Sequence, residues 1–138
     1  MPYRPLLADL HLLRIEFLDL PGERIPLNDD TIDTVVSTFT LCTITDIADA
    51  IQGLARVMKP DGSFIFFELG LSPEVSVQRW QRRLEPLHHW LFQGLHLTRD
   101  IPSLIVEGGF HIEQIEAGYL TSFPKSSSYC WWGTATRR

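Results

Sequence analysis

At 138 residues, with 44% hydrophobic and 21% charged side chains, the chain is long enough for one cored domain and too short for two full α/β domains. A formal net charge of -5, with no run of Lys or Arg longer than two residues, excludes the electrostatic footprint of a nucleic-acid binder. Cys42 and Cys130 stand far apart and outside any metal-ligand spacing, and none of the five histidines forms an HxxxH pattern, so neither a disulfide framework nor a metal site is expected.

Met1 to Leu13 lacks a signal-peptide layout because Asp9 and His11 interrupt its apolar part, and no apolar stretch reaches the roughly 18 residues of a membrane helix. The expectation is one domain over residues 1–138, cytoplasmic, with no transmembrane segment. Two periods compete in the first element: Leu6, Leu10, Leu13 and Phe17 fit a helical stripe, while Leu13, Ile15 and Phe17 alternate against Arg14 and Glu16. The turn-forming stretch Asp19 to Gly22, followed by Pro26, favours a strand from about Leu12 to Leu18.

A polar loop, Glu23 to Asp30, leads into Ile32 to Phe39. The near-continuous apolar character there, with Val35 beside Val36, predicts a parallel strand covered on both faces. Asp46 is a plausible N-cap, and Ile47, Ile51, Leu54, Ala55 and Met58 share one helical face, so a helix is expected from Ile47 to Met58. Pro60-Asp61-Gly62 stops it, and Phe64 to Leu69 returns as a second buried strand. Strand, crossover helix and parallel strand make Thr31 to Gly70 the unit that sets the α/β class.

Ser72-Pro73 opens a longer helix whose face is Val77, Trp80, Leu84, Leu87 and Leu91; Pro86 predicts a kink, or two shorter helices, around Arg83 to Leu87. Arg79, Arg82 and Arg83 lie at helical spacing and read as a solvated face, a phosphate or headgroup contact being the weaker alternative. A short helix, Ile101 to Glu107, ends at Gly108-Gly109. Phe110 to Ala117 and Tyr129 to Thr136 then read as a closing pair of strands around a loop with Pro124 and Lys125 to Ser128.

The stretch Glu23 to Gly70 resembles the second half of class I S-adenosylmethionine-dependent methyltransferases, in particular the small-molecule type that methylates quinones and phospholipids. ERIPLNDDTIDTVVSTFTLCTI is similar to that family's acidic loop and fourth strand, and LARVMKPDGSFIFFELG to its next helix, turn and fifth strand. WQRRLEPLHHW, GLHLTRDI and EGGFHIEQIE are similar to the substrate-side helix, a Gly-Cys-His-hydrophobic-Arg segment and the approach to strand six. The resemblance implies a partial Rossmann-like methyltransferase sheet of strands equivalent to 3, 4, 5, 6 and 7, the last antiparallel, from a full order of 3-2-1-4-5-7-6. It also implies S-adenosyl-L-methionine across the carboxyl ends of the strands and a small or lipid-like methyl acceptor.

The implied cofactor contacts are Gly22, Glu23 and Arg24 at the adenine and Ser37, Thr38, Phe39 and Leu41 beneath the methionine part. On the substrate side they are Trp80, His96 and Arg99, with His96 and Glu68 in acid/base roles. A satisfied structural histidine is the competing reading of His96. Leu69 stands where this branch often carries a histidine, and Gln93 and Leu95 replace the usual Gly and Cys. Glu68, inside FIFFEL, needs either a partner such as Arg99 or a place on a solvent-facing pocket wall.

The sequence departs from the family in having no GxGxG-like run, no ribose-binding acid ending a second strand, and only Met1 to His11 before the segment similar to strand 3. Cofactor binding by this chain alone is expected to be impaired. The edge of Ile32 to Phe39 is left open, so either the first strand collapses onto it or a second chain covers it. A non-enzymatic module that oligomerises through this edge is the alternative function.

Overall fold

The computed structural model describes residues 16, 18, 24–91 and 94–138. β1 (Ile32–Thr38) and β2 (Met58–Leu69) run parallel and are joined by α1 (Ile47–Val57), the crossover unit that the apolar pattern predicts. Asp46 caps α1 by accepting from the Asp49 amide, while Asp49 in the first turn and Arg56 in the last match the helix dipole. Pairing starts at Ile32 opposite Met58 and resumes at Thr34 opposite Ser63. The expected Pro60-Asp61-Gly62 turn is therefore an excursion within a longer β2, which begins directly after the helix.

α2 (Val75–Leu91) follows as one continuous helix with Pro86 inside it, so of the two expected outcomes, a kink or two shorter helices, the second does not occur. α3 (Ile101–Glu107) starts at its cap Asp100 and ends at Gly108. β3 (Phe110–Tyr119) and β4 (Tyr129–Arg137) form the closing hairpin, and β4 inserts between β2 and β3, antiparallel to both. The order β1-β2-β4-β3 is that of strands 4-5-7-6 in the sheet described above, with the last strand of the chain antiparallel. Of the expected first strand, only Glu16 and Leu18 are described; both are exposed and neither is in a strand, while the rest lies outside the described residues.

α1 and α3 pack side by side on one face of the sheet, where Ile51, Phe64, Phe66, Ile101, Ile105 and Phe110 form the core. Each such side chain removed from water contributes about 1.5–3 kcal/mol. Gly108 permits this approach, since a Cβ there would stand 2.1 Å from the Ile51 side chain. On the opposite face Val36 is 67% exposed and Ile65 is also exposed, while Phe67 stacks on Trp132. The expectation that β1 is covered on both faces thus fails among the described residues: both core helices lie on one side.

Candidate cofactor and substrate site

β1 ends where Phe39 takes a left-handed backbone conformation (φ 49°), uncommon for a residue with a side chain. The turn aims the next amides inward at Glu68 on β2. Glu68 is fully buried and accepts from Ser37 Oγ at 2.6 Å, the Thr40 amide at 3.2 Å and the Leu41 amide at 3.1 Å. Burial raises its pKa above the ordinary carboxylate value, and these hydrogen bonds pull it back only in part. Neither expected partner of Glu68 is found: the carboxylate bonds the loop after β1.

The same loop is gripped from the segment that follows α2. Arg99 donates to the carbonyls of Leu41 at 2.6 Å and Thr45 at 3.4 Å, and the His96 amide donates to the Cys42 carbonyl at 2.6 Å. Gly70 makes room for this segment; a Cβ there would stand 2.7 Å from the Arg99 carbonyl and 2.3 Å from the Trp131 ring. Half-buried His96 has Nδ1 3.7 Å from Glu85 Oε1 and its ring 4.9 Å from that of His89. Burial, then the charge of Arg99, lowers its pKa below the ordinary imidazole value. Cys42, within the loop and buried, is pushed up to about 12 by that burial and is an inert thiol.

Between this loop, β1 and α1 lies a cleft of about 370 Å³, lined by Ile25, Val35, Val36, Ser37, Thr40, Leu41, Thr43, Ile44, Thr45, Ala50 and Leu54. Its volume is within the range of small-molecule sites, about 300–1,000 Å³. It lies at the carboxyl end of β1, where open α/β sheets bind ligands. Its apolar wall and threonine-rich rim fit one side of a nucleoside-bearing cofactor. The glycine-rich turn and ribose-binding acid needed for the other side have no counterpart in the sequence.

Of the cofactor residues expected from the sequence, Ser37 and Leu41 line the cleft; Thr38 and Phe39 are exposed and do not. Arg24 is exposed, and Gly22 and Glu23 lie outside the described residues. His96 and Arg99 come together behind the loop. Trp80 is not with them: it borders a separate shallow groove with Ser76, Val77, Lys125 and Ser126. The sequence reading missed Thr40, Thr43 and Thr45 as rim residues, and Gln81, fully buried, which bonds the Gly70 carbonyl and the Ser72 amide to seat α2. The STFTLCTIT run was a readable signal for the rim; nothing local marked Gln81. Among the described residues no group of His, Cys, Asp and Glu side chains could hold a metal ion.

Residues 4–66 match the family of methyltransferase domains. The chain is 35% identical over 108 residues to thiol S-methyltransferase TMT1B of Rattus norvegicus, covering 77% of this chain and 44% of that protein. It is 34% identical over 93 residues to thiol S-methyltransferase TMT1A of Homo sapiens, covering 65% and 38%. The chain thus spans less than half the length of these relatives. A SAM-dependent methyltransferase from Methanosarcina mazei superposes with a TM-score of 0.64 at 14% identity, over 86% of this chain and 65% of that one. One from Aquifex aeolicus gives 0.59 at 15% identity, over 96% and 60%. With its 4-5-7-6 strand order and its sequence relatives, the chain belongs to the class I S-adenosylmethionine-dependent methyltransferase superfamily.

Proposed function

We propose that this chain supplies the strand-4 to strand-7 part of a methyltransferase that uses S-adenosyl-L-methionine and methylates a small or lipid-like acceptor, a thiol foremost. The observation that carries this reading is the cleft at the carboxyl end of β1, whose rim is fixed by Glu68 and Arg99. The thiol acceptor is supported by relatives named as thiol S-methyltransferases. When bound, the cofactor supplies an electrophilic methyl group on a sulfonium. Ser37 and Leu41 wall its methionine side, and Gly22, Glu23 and Arg24 serve its adenine.

His96, its pKa lowered by burial and its ring beside Glu85, takes the acceptor's proton, and Glu85 steadies the resulting imidazolium. Arg99 and Glu68 act as positioning residues through the loop. Because the glycine-rich turn is absent from the sequence, the chain alone holds the cofactor weakly. Titration of the isolated chain with S-adenosylmethionine, followed by NMR, tests both parts: saturable shifts at residues 37–45 with a Kd above about 1 mM are expected. No shift at any concentration overturns the cofactor reading; submillimolar binding overturns the weakened site. Transfer of a tritiated methyl group to small thiols, alcohols and amines tests the acceptor class, and transfer that spares thiols overturns it.

A second reading rests on β1, which has no outer neighbour among the described residues and exposes Val36. In that reading the chain is an interaction module that pairs through this edge. A strict monomer in light scattering overturns it.

A further inference from the structure

We propose that α2 docks on the surface of an anionic lipid bilayer through its outward face. Trp80, Leu87, Trp90 and Leu91 are 57%, 47%, 77% and 52% exposed, a concentration of large apolar side chains that no packing within the described residues accounts for. At about 100° per residue all four fall in one arc of about 100°, while the buried positions Val77, Gln81 and His88 mark the inward face. The stripe from Trp80 to Leu91 is about 16 Å long. A helix of this kind lies flat in the headgroup region; among the described residues no helix is long and apolar enough to cross a membrane.

Charge selects the partner. Arg79 and Arg83 are exposed along the same side of α2 and Arg82 on the adjoining flank, with the Arg83 guanidinium 5.9 Å from the centre of the Trp80 ring. The sole acid within α2, Glu85, is turned away toward Thr98 (2.6 Å) and His96. Lys125 flanks Trp80 across the shallow groove and pairs with Glu74 at the helix start. The face is therefore cationic on a chain whose net charge is -5, so an anionic surface attracts α2 and repels the rest, which fixes the orientation. Tryptophan at both ends of the stripe suits the boundary between headgroups and acyl chains. An acidic protein groove offers the charge but no advantage to a flat, two-tryptophan stripe.

The experiment is co-sedimentation of the chain with vesicles of phosphatidylcholine alone and of phosphatidylcholine mixed with phosphatidylserine, at low and high salt. Binding to the mixed vesicles only, weakened by salt, is expected, with the tryptophan emission quenched by brominated lipid. Each arginine contributes about fivefold to the partition, so R79Q/R82Q/R83Q lowers it about 100-fold. Trp90→Ser lowers it with the salt dependence unchanged; these side chains are exposed, so thermal midpoints match the parent. No binding to the mixed vesicles, or undiminished binding by the triple variant, overturns the proposal. So does lipid-free dimerisation that Trp90→Ser abolishes, which assigns the face to a second copy. The test is independent of methyl transfer.

Discussion

Glu68 shows how one buried residue ties two elements together. Its carboxylate serves an amide pair and a hydroxyl at once, and an amide side chain cannot: Glu68→Gln turns an N–H toward a backbone N–H on one side. We predict that this substitution lowers stability by about 1–3 kcal/mol in urea unfolding. The pH dependence has a definite sign. A carboxyl whose folded pKa lies above its ordinary 4.5 leaves the native state binding more protons than the unfolded chain through the window above that value. The stability Glu68 contributes therefore falls as pH rises through the window, a dependence that the non-titrating Glu68→Gln lacks. A deficit that widens with pH counts against this account. The sequence revealed that an acid in FIFFEL needs partners but not which, because they are amides brought inward by the left-handed Phe39.

At the scale of elements, the loop after β1 is held by contacts distant in sequence. Arg99 lies 58 residues beyond Leu41, whose carbonyl it bonds. Arg99→Ala is expected to cost about 1.5–3 kcal/mol, the range for hydrogen bonds from a charged donor, and to raise amide hydrogen exchange in residues 40–45 while β2 stays protected. Arg99→Lys restores stability in part, since one ammonium does not reproduce the guanidinium fork. Unchanged exchange in Arg99→Ala means that Glu68 and the His96 amide hold the loop without it. α2 gives a second prediction. Pro86 lacks the amide that would bond the Arg82 carbonyl, so Pro86→Ala should stabilise the chain by about 2 kcal/mol after the gain in unfolded-chain entropy is deducted, seen as a higher thermal midpoint. Periodicity placed α1, α3 and the hairpin well because these elements obey local rules. It left open whether Pro86 divides α2, because the buried Gln81, bonded to Gly70 and Ser72, anchors the helix through contacts outside it.

At the scale of the whole molecule, the described residues form an asymmetric half-sandwich: α1 and α3 cover one sheet face, while Val36 and Ile65 stand exposed on the other. The apolar runs in β1 and β2 made the class legible, since such strands belong to sheets with helices on both sides. They gave no hint of which side the described helices cover, because the pattern records how many faces are apolar and not what covers each. An apolar edge strand is a template for pairing, and a charge on it blocks a second strand. If chains associate through β1, the parent sediments as a concentration-dependent dimer, and Val36→Lys shifts it to monomer at equal concentration without lowering the thermal midpoint, since the side chain lies outside the core. A dimer that survives Val36→Lys places the contact elsewhere, and the outward face of α2, with Trp90 more exposed than Val36, is then the surface to vary.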